Sequence, residues 1–125
     1  MPRVRNGTLG AAFRFAGQGV VYVFRTQRNM RIHAGAAGGV LALAGLLGVS
    51  RVELAVLLLC ILAVLTLEML NTVVEAVVDL ATEEYHPLAK VAKDVAAGAV
   101  LVMAVGAAAI GLLILGPPMA RALGW

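Results

Sequence analysis

What is scarce in this chain narrows its class before any motif is read. A single cysteine, Cys60, excludes an internal disulfide, and its place in an apolar run makes it a packing residue. Aromatic residues make up 5% and are not interleaved with the basic ones. The net charge of +3 and pI near 9.6 therefore do not describe a nucleic-acid surface. Charged residues are only 14% of the chain, against about 25% in soluble domains. His33 and His86 have no second histidine at ligand spacing, and they read as hydrogen-bonding or packing residues. No glycine loop of the GxxxxGK[ST] or GxGxxG kind is present, and Gly17-Gln18-Gly19 is too short to serve. If the chain handles ATP, it does so without a standard soluble kinase architecture. The first thirty residues carry Arg3, Arg5, Arg14, Arg25 and Arg28 and lack the apolar core and cleavage site of a secretory signal, so the first span is expected to remain.

What is abundant is apolar sequence in long blocks. Hydrophobic residues make up 62% of 125 residues and the mean hydropathy is +0.96, which predicts a single all-α membrane domain over 1–125. Residues 8–28 read as an amphipathic surface helix, with Phe13, Phe15, Val20 and Val23 on its apolar side and Arg14, Gln18, Arg25 and Arg28 on a basic side suited to anionic headgroups. Three membrane helices follow, at 30–47, 52–82 and 88–115. The first is rich in small residues, and Gly35 and Gly39 form a GxxxG pair that permits close helix approach. Pro87 is placed to begin the third, and Gly116-Pro117-Pro118 is expected to end it, with Trp125 as an interface anchor.

Lysine and arginine are distributed unevenly about these spans. Six arginines precede or open the first span, and Lys90 and Lys93 flank the second loop; the other side has only Arg51 and Arg121. The positive-inside bias therefore predicts a cytoplasmic N-terminus and a cytoplasmic 82–94 loop, in a bacterial inner membrane.

Against this background, the polar content of the second span is conspicuous. Glu68, Asn71, Glu75 and Asp79 fall within a stripe of roughly 80° on one face at about 100° per residue. Ionisable groups at membrane depth are costly and mark functional sites by default. Six of the seven acidic residues lie between 68 and 94, joined by two lysines, for a formal charge of −4. Such a cluster repels ATP alone but suits ATP with Mg²⁺, which bridges carboxylate and phosphate oxygens. Lys93 can meet a phosphate as a point charge. The deeper Glu68 suits a general base for a lipid hydroxyl, and Asn71, one turn on, suits orienting either that carboxylate or the hydroxyl. A structural polar seam between subunits is the competing reading of the stripe. Glu83 and Glu84 are read first as a solvated loop, and Lys90 as an interfacial anchor.

These residues carry a resemblance. Glu68-x-x-Asn-Thr-x-x-Glu75-x-x-x-Asp79, Glu84-Tyr-His-Pro-Leu-Ala-Lys90 and Ala92-Lys-Asp-Val-Ala-Ala-Gly-Ala-Val-Leu101 resemble the signature of the prokaryotic diacylglycerol kinase family. Arg28-Asn-Met-Arg-Ile-His33, Pro87 and Val95-Ala-Ala-Gly98 are closer to its undecaprenol kinase branch. The resemblance covers about residues 8 to 115. It implies a homotrimer of three-span subunits with active sites between neighbours, transferring the γ-phosphate of Mg-ATP to a lipid hydroxyl. Undecaprenol is the favoured acceptor and diacylglycerol the alternative.

By motif position, the resemblance makes Glu68 the catalytic base with Asn71 beside it and Glu75 a metal ligand. Asp79, Glu84, Tyr85, His86, Lys93 and Asp94 would surround the nucleotide, and Glu68 and Arg31 would face the lipid substrate. Gln27 stands where many members carry a glutamate that shares the metal, so it offers a carbonyl oxygen without charge to the metal and nucleotide. A small oligomeric transporter could also use an intramembrane Glu68, but it has no need of the 75–94 cluster. A non-catalytic scaffold leaves the whole stripe unexplained.

Overall fold

The computed structural model describes residues 7–125, so Arg3 and Arg5, which contribute to the charge bias, lie outside the described residues. Four helices follow one another, with no strand among the described residues: α1 (Leu9–Thr26), α2 (Arg28–Leu47), α3 (Arg51–Ala81) and α4 (Pro87–Ala122). The last three are long and apolar enough to cross a membrane. This is a multi-pass membrane protein.

Local chemistry sets each boundary. Thr8 caps α1 by accepting a hydrogen bond from the Ala11 N–H at 3.3 Å. The helix runs unbroken through Gly17 and Gly19 and ends where Gln27 turns extended, at φ −107° and ψ 111°. The Arg31 guanidinium then reaches back from α2. Its Nη1 donates to the carbonyls of Phe24 (2.8 Å) and Arg25 (3.1 Å), two of the C-terminal acceptors that α1 cannot satisfy itself. At the far end of α2, Gly48 takes the left-handed conformation, φ 65°, that favours glycine and stops the helix. Ser50 and Glu53 form a reciprocal capping box at 3.1 Å in each direction and start α3 two residues later. His86 caps α4, with Nδ1 accepting from the Leu88 N–H at 3.1 Å, and Pro87 occupies the first turn, where its missing N–H costs nothing.

The end of α4 differs from expectation. Gly116-Pro117-Pro118 does not terminate the span near 115; the helix continues to Ala122. A proline's fixed φ is itself helical, so what it forfeits is a hydrogen bond, here those to the carbonyls of Leu113 and Ile114. The residue before a proline is normally crowded out of the helical region by its own Cβ; Gly116 escapes this before Pro117, whereas Pro117 has a Cβ before Pro118 and is helical all the same. The stop comes instead at Gly124, φ 82°, with the Trp125 N–H bonded to the Ala120 carbonyl at 3.0 Å.

The three spans run up, down and up. Ala44 of α2, Leu57 of α3 and Leu115 of α4 form a buried cluster, packed by Val40, Leu43, Leu47 and Ile114, which fastens one end of the bundle. The opposite end therefore collects the start of α2, the end of α3 and the start of α4. Few other apolar residues are buried, and large side chains such as Leu59, Leu62, Leu112 and Leu113 stand outward. In water such a surface would be a liability, whereas a bilayer covers it and leaves helices as the stable backbone form.

α3 carries the exception to this apolar plan. At 31 residues it is about 46 Å long, well beyond the hydrocarbon thickness of about 30 Å. Its inward seam reads Leu57, Cys60, Val64, Glu68, Asn71 and Thr72. Carboxylate and amide thus continue the same buried line that leucine, cysteine and valine begin.

Candidate active site

Glu68 is 2% exposed, about 20 Å along the axis from the Ala81 end of α3 at 1.5 Å per residue. An unpaired carboxylate at that depth would be costly. It has a partner: Nε2 of His33, on α2, lies 3.3 Å from Glu68 Oε1. One turn on, the Thr72 hydroxyl donates to the Glu68 carbonyl at 3.0 Å, and so leaves the carboxylate untouched.

Asn71 is also buried, and its amide has a direction. Nδ2 donates to Glu75 Oε1 at 3.3 Å, so among the described residues the carboxylate it orients is Glu75, not Glu68. Its Oδ1 is buried and has no donor within the described chain. Leaving a buried acceptor unmet costs about 1–3 kcal/mol, so this oxygen is one that a donor could still satisfy. Glu75 is half-buried and marks the transition from the dry seam to the wet end.

Beyond Glu75 the helix emerges into a cleft of about 450 Å³ between the end of α3, the 82–86 linker and the start of α4. The structure brings six of the expected nucleotide residues together in its lining: Asp79, Glu84, Tyr85, His86, Lys93 and Asp94. Two ion pairs lie in its lining. Lys93 bonds Asp79 across α3 and α4, and Lys90 bonds Asp94 along α4. Both pairs are substantially exposed, where such contacts contribute little to stability. The linker itself is shaped by Thr82, whose hydroxyl donates to the Glu84 carbonyl (3.0 Å) and accepts from the Glu84 N–H (3.2 Å).

Gln27 and Arg31 are not part of this lining. Gln27 is the extended residue between α1 and α2, and its Nε2 donates to Thr26 Oγ1 at 3.3 Å. Arg31 spends its contacts on the end of α1. Lys90 and Glu83, read from the sequence as an anchor and a solvated loop residue, do line the cleft. The spacing of Lys90 and Asp94, four apart on a helix, already signalled their pairing. Nothing in the local sequence joins His33 to Glu68, which lie thirty-five positions apart.

Among the described residues no three His, Cys, Asp or Glu side chains converge on a metal site. Mg²⁺ asks for no such cage, since one or two carboxylates and the phosphate oxygens of a nucleotide usually hold it. Glu75, with one oxygen oriented by Asn71, fits that role.

Residues 14–115 match the family model described as prokaryotic diacylglycerol kinase. The chain belongs to the prokaryotic diacylglycerol kinase family. It is 49% identical over 109 residues to a Synechocystis protein named diacylglycerol kinase, covering 86% of this chain and 62% of that one. It is 47% identical over 108 residues to a Bacillus subtilis protein named undecaprenol kinase, covering 86% of this chain and 88% of that one. The match thus spans somewhat under two thirds of the first relative and nearly all of the second. As a member of the kinase family, the chain keeps the whole stretch from Glu68 to Asp94 inside the matched region.

Proposed function

We propose that this protein is a lipid kinase that transfers the γ-phosphate of Mg-ATP to the hydroxyl of a membrane lipid alcohol, and that the alcohol is undecaprenol. The observation that carries the reading is the polar line on α3. It runs from a carboxylate 2% exposed at membrane depth, through Asn71 and Glu75, to an open cleft with lysines at the helix end. A lipid hydroxyl and a water-soluble nucleotide can meet only along such a line.

In this scheme Glu68 accepts the hydroxyl proton of the lipid. The lipid oxygen forms its bond to the γ-phosphorus, the bond to the bridging oxygen breaks, and ADP leaves with that electron pair. Asn71 would orient the Glu75 carboxylate through its Nδ2. Mg²⁺ carried with ATP would be held by Glu75, with the Gln27 carbonyl oxygen as a neutral ligand, and would offset phosphate charge. Lys93 would leave Asp79 for a phosphate oxygen, and Glu84, Tyr85, His86 and Asp94 would enclose the nucleotide. Arg31 would act on the lipid side by fixing α1 against the start of α2.

Undecaprenol is supported by the Arg28-Asn-Met-Arg-Ile-His33 stretch and by the nearly full-length match to the Bacillus relative. Diacylglycerol is supported by the Synechocystis relative at similar identity. Purified protein given radiolabelled ATP, with undecaprenol and diacylglycerol offered separately, is expected to label undecaprenol faster. Faster labelling of diacylglycerol reverses the acceptor, and labelling of neither retires the kinase reading.

The same scheme requires the cleft to face the cytoplasm of a bacterial inner membrane, where ATP is found. Eight of the ten lysines and arginines support that orientation. With Cys60→Ala as background, Glu83→Cys is expected to react with a membrane-impermeant thiol reagent in inside-out vesicles only. Labelling from outside intact cells inverts the topology. The functional unit is proposed to be a homotrimer with sites between subunits. The outward-facing Gly35, Gly38 and Gly39, with nothing near their missing Cβ positions, are consistent with close packing against a second subunit.

A further inference from the structure

His33 lies outside every role the family motif supplies, yet among the described residues it is the one charged or titratable side chain within ion-pair distance of the Glu68 carboxylate. Glu68 Oε1 and His33 Nε2 are 3.3 Å apart, the carboxylate is 3% exposed and the imidazole 25%. The contact joins α2 to α3 within the span. A carboxylate has two oxygens, and in this arrangement Oε1 faces the imidazole Nε2 while the other is left for a reactant.

We infer that His33 is the positioning residue for Glu68: it fixes the carboxylate through Oε1 so that Oε2 is presented to the lipid hydroxyl. This rests on the reading of Glu68 as the base. The physical ground is orientation. A free carboxyl on a Glu side chain turns about its last two torsions, and a base must stand within hydrogen-bond reach of the proton it takes. A ring on a neighbouring helix, itself held by the backbone of α2, removes that freedom. With its proton on Nε2 the ring would also offer the desolvated oxygen a donor, which a buried anion requires. The imidazole is one-quarter exposed while the carboxylate it faces is 3% exposed, so the ring covers Glu68 from the side of α2.

The role requires a donor near the Nε2 position rather than an imidazole as such. Glutamine places an amide nitrogen close to that position; leucine fills similar space with no donor. With Mg-ATP and undecaprenol in mixed micelles, and dioleoylglycerol in parallel, His33→Leu is expected to lower kcat about 10- to 100-fold, the range for a misplaced reacting group, with KM for ATP within twofold of the parent. His33→Gln is expected to recover most of the lost kcat. In a Glu68→Gln background, His33→Leu should cause no additional loss, because two residues acting as one unit are not additive. If His33→Leu does not insert into the membrane, His33→Asn takes its place, since its amide falls short of Glu68.

A kcat for His33→Leu within twofold of the parent overturns the inference, as does a His33→Gln variant as slow as His33→Leu, or a loss confined to KM for ATP. Glu68→Gln measured alone separates the two readings. If it turns over normally, the base assignment has failed and His33 has nothing to position. If it is slow while His33→Leu is normal, only the positioning role has failed.

Discussion

Glu68→Gln is expected to lower turnover by about 10²-fold or more while leaving folding and nucleotide binding in place. The magnitude is that of losing a general base. The structure makes this substitution clean. Glutamine has the same shape and keeps an oxygen acceptor where Oε1 meets His33 Nε2, so the α2–α3 contact survives and the buried seam has no void. What disappears is the capacity to take a proton. A structural seam residue would behave in the opposite way, since replacing a buried carboxylate with an isosteric amide relieves a desolvation cost. Equal turnover in the two proteins, measured as phosphate transferred per unit time at saturating ATP, assigns Glu68 to packing.

Glu75→Gln is expected to weaken nucleotide binding and Mg²⁺ dependence together, because the same carboxylate would hold the ion that holds the phosphates. The hydrogen bond from Asn71 Nδ2 again finds an oxygen in the variant, so the orientation of Asn71 is preserved and the effect is one of charge. A Mg²⁺ titration of activity should shift to higher concentration by about tenfold or more, as expected for the loss of a charged ligand. The reverse substitution at the other position, Gln27→Glu, adds a charged oxygen and should shift the titration the other way. Gln27 has few ties to lose, since among the described residues its side chain is hydrogen-bonded only to the neighbouring Thr26 hydroxyl. Unchanged titrations for both variants remove positions 27 and 75 from the metal.

These two experiments probe different depths of one helix, and the spacing explains why one span can serve two phases. Glu68 and Asp79 are eleven residues apart, or about 16 Å along the axis, yet within a narrow angular range. Glu68 is buried, Glu75 half-buried and Asp79 exposed. The gradient from dry to wet is a property of helix length. Because α3 exceeds the thickness of the hydrocarbon layer, its last turns extend beyond that layer and form a wall of the cleft with the start of α4.

The family resemblance read from the motifs agrees with the family match, and the all-helical membrane architecture agrees with three long apolar helices. Those were legible because apolar blocks, polar periodicity and capping residues are local signals, and a helix in lipid satisfies its own backbone. The continuation of α4 past Pro118 was not legible. Two prolines read as a stop unless the relief given by the missing Cβ of Gly116 is weighed against them.

The sequence by itself determined the number of spans and the acidic stripe on the second of them. Periodicity along one helix is enough to place Glu68, Asn71, Glu75 and Asp79 on a common face. Only the tertiary structure decided which partner each of these side chains takes. Asn71 turns to Glu75, Lys93 to Asp79, and His33 comes from another helix to Glu68. The last two pairs are contacts between helices, set by how α2, α3 and α4 pack at the shared end of the bundle. A side-chain contact across helices depends on the offset and rotation of both, quantities that no spacing within a single helix contains.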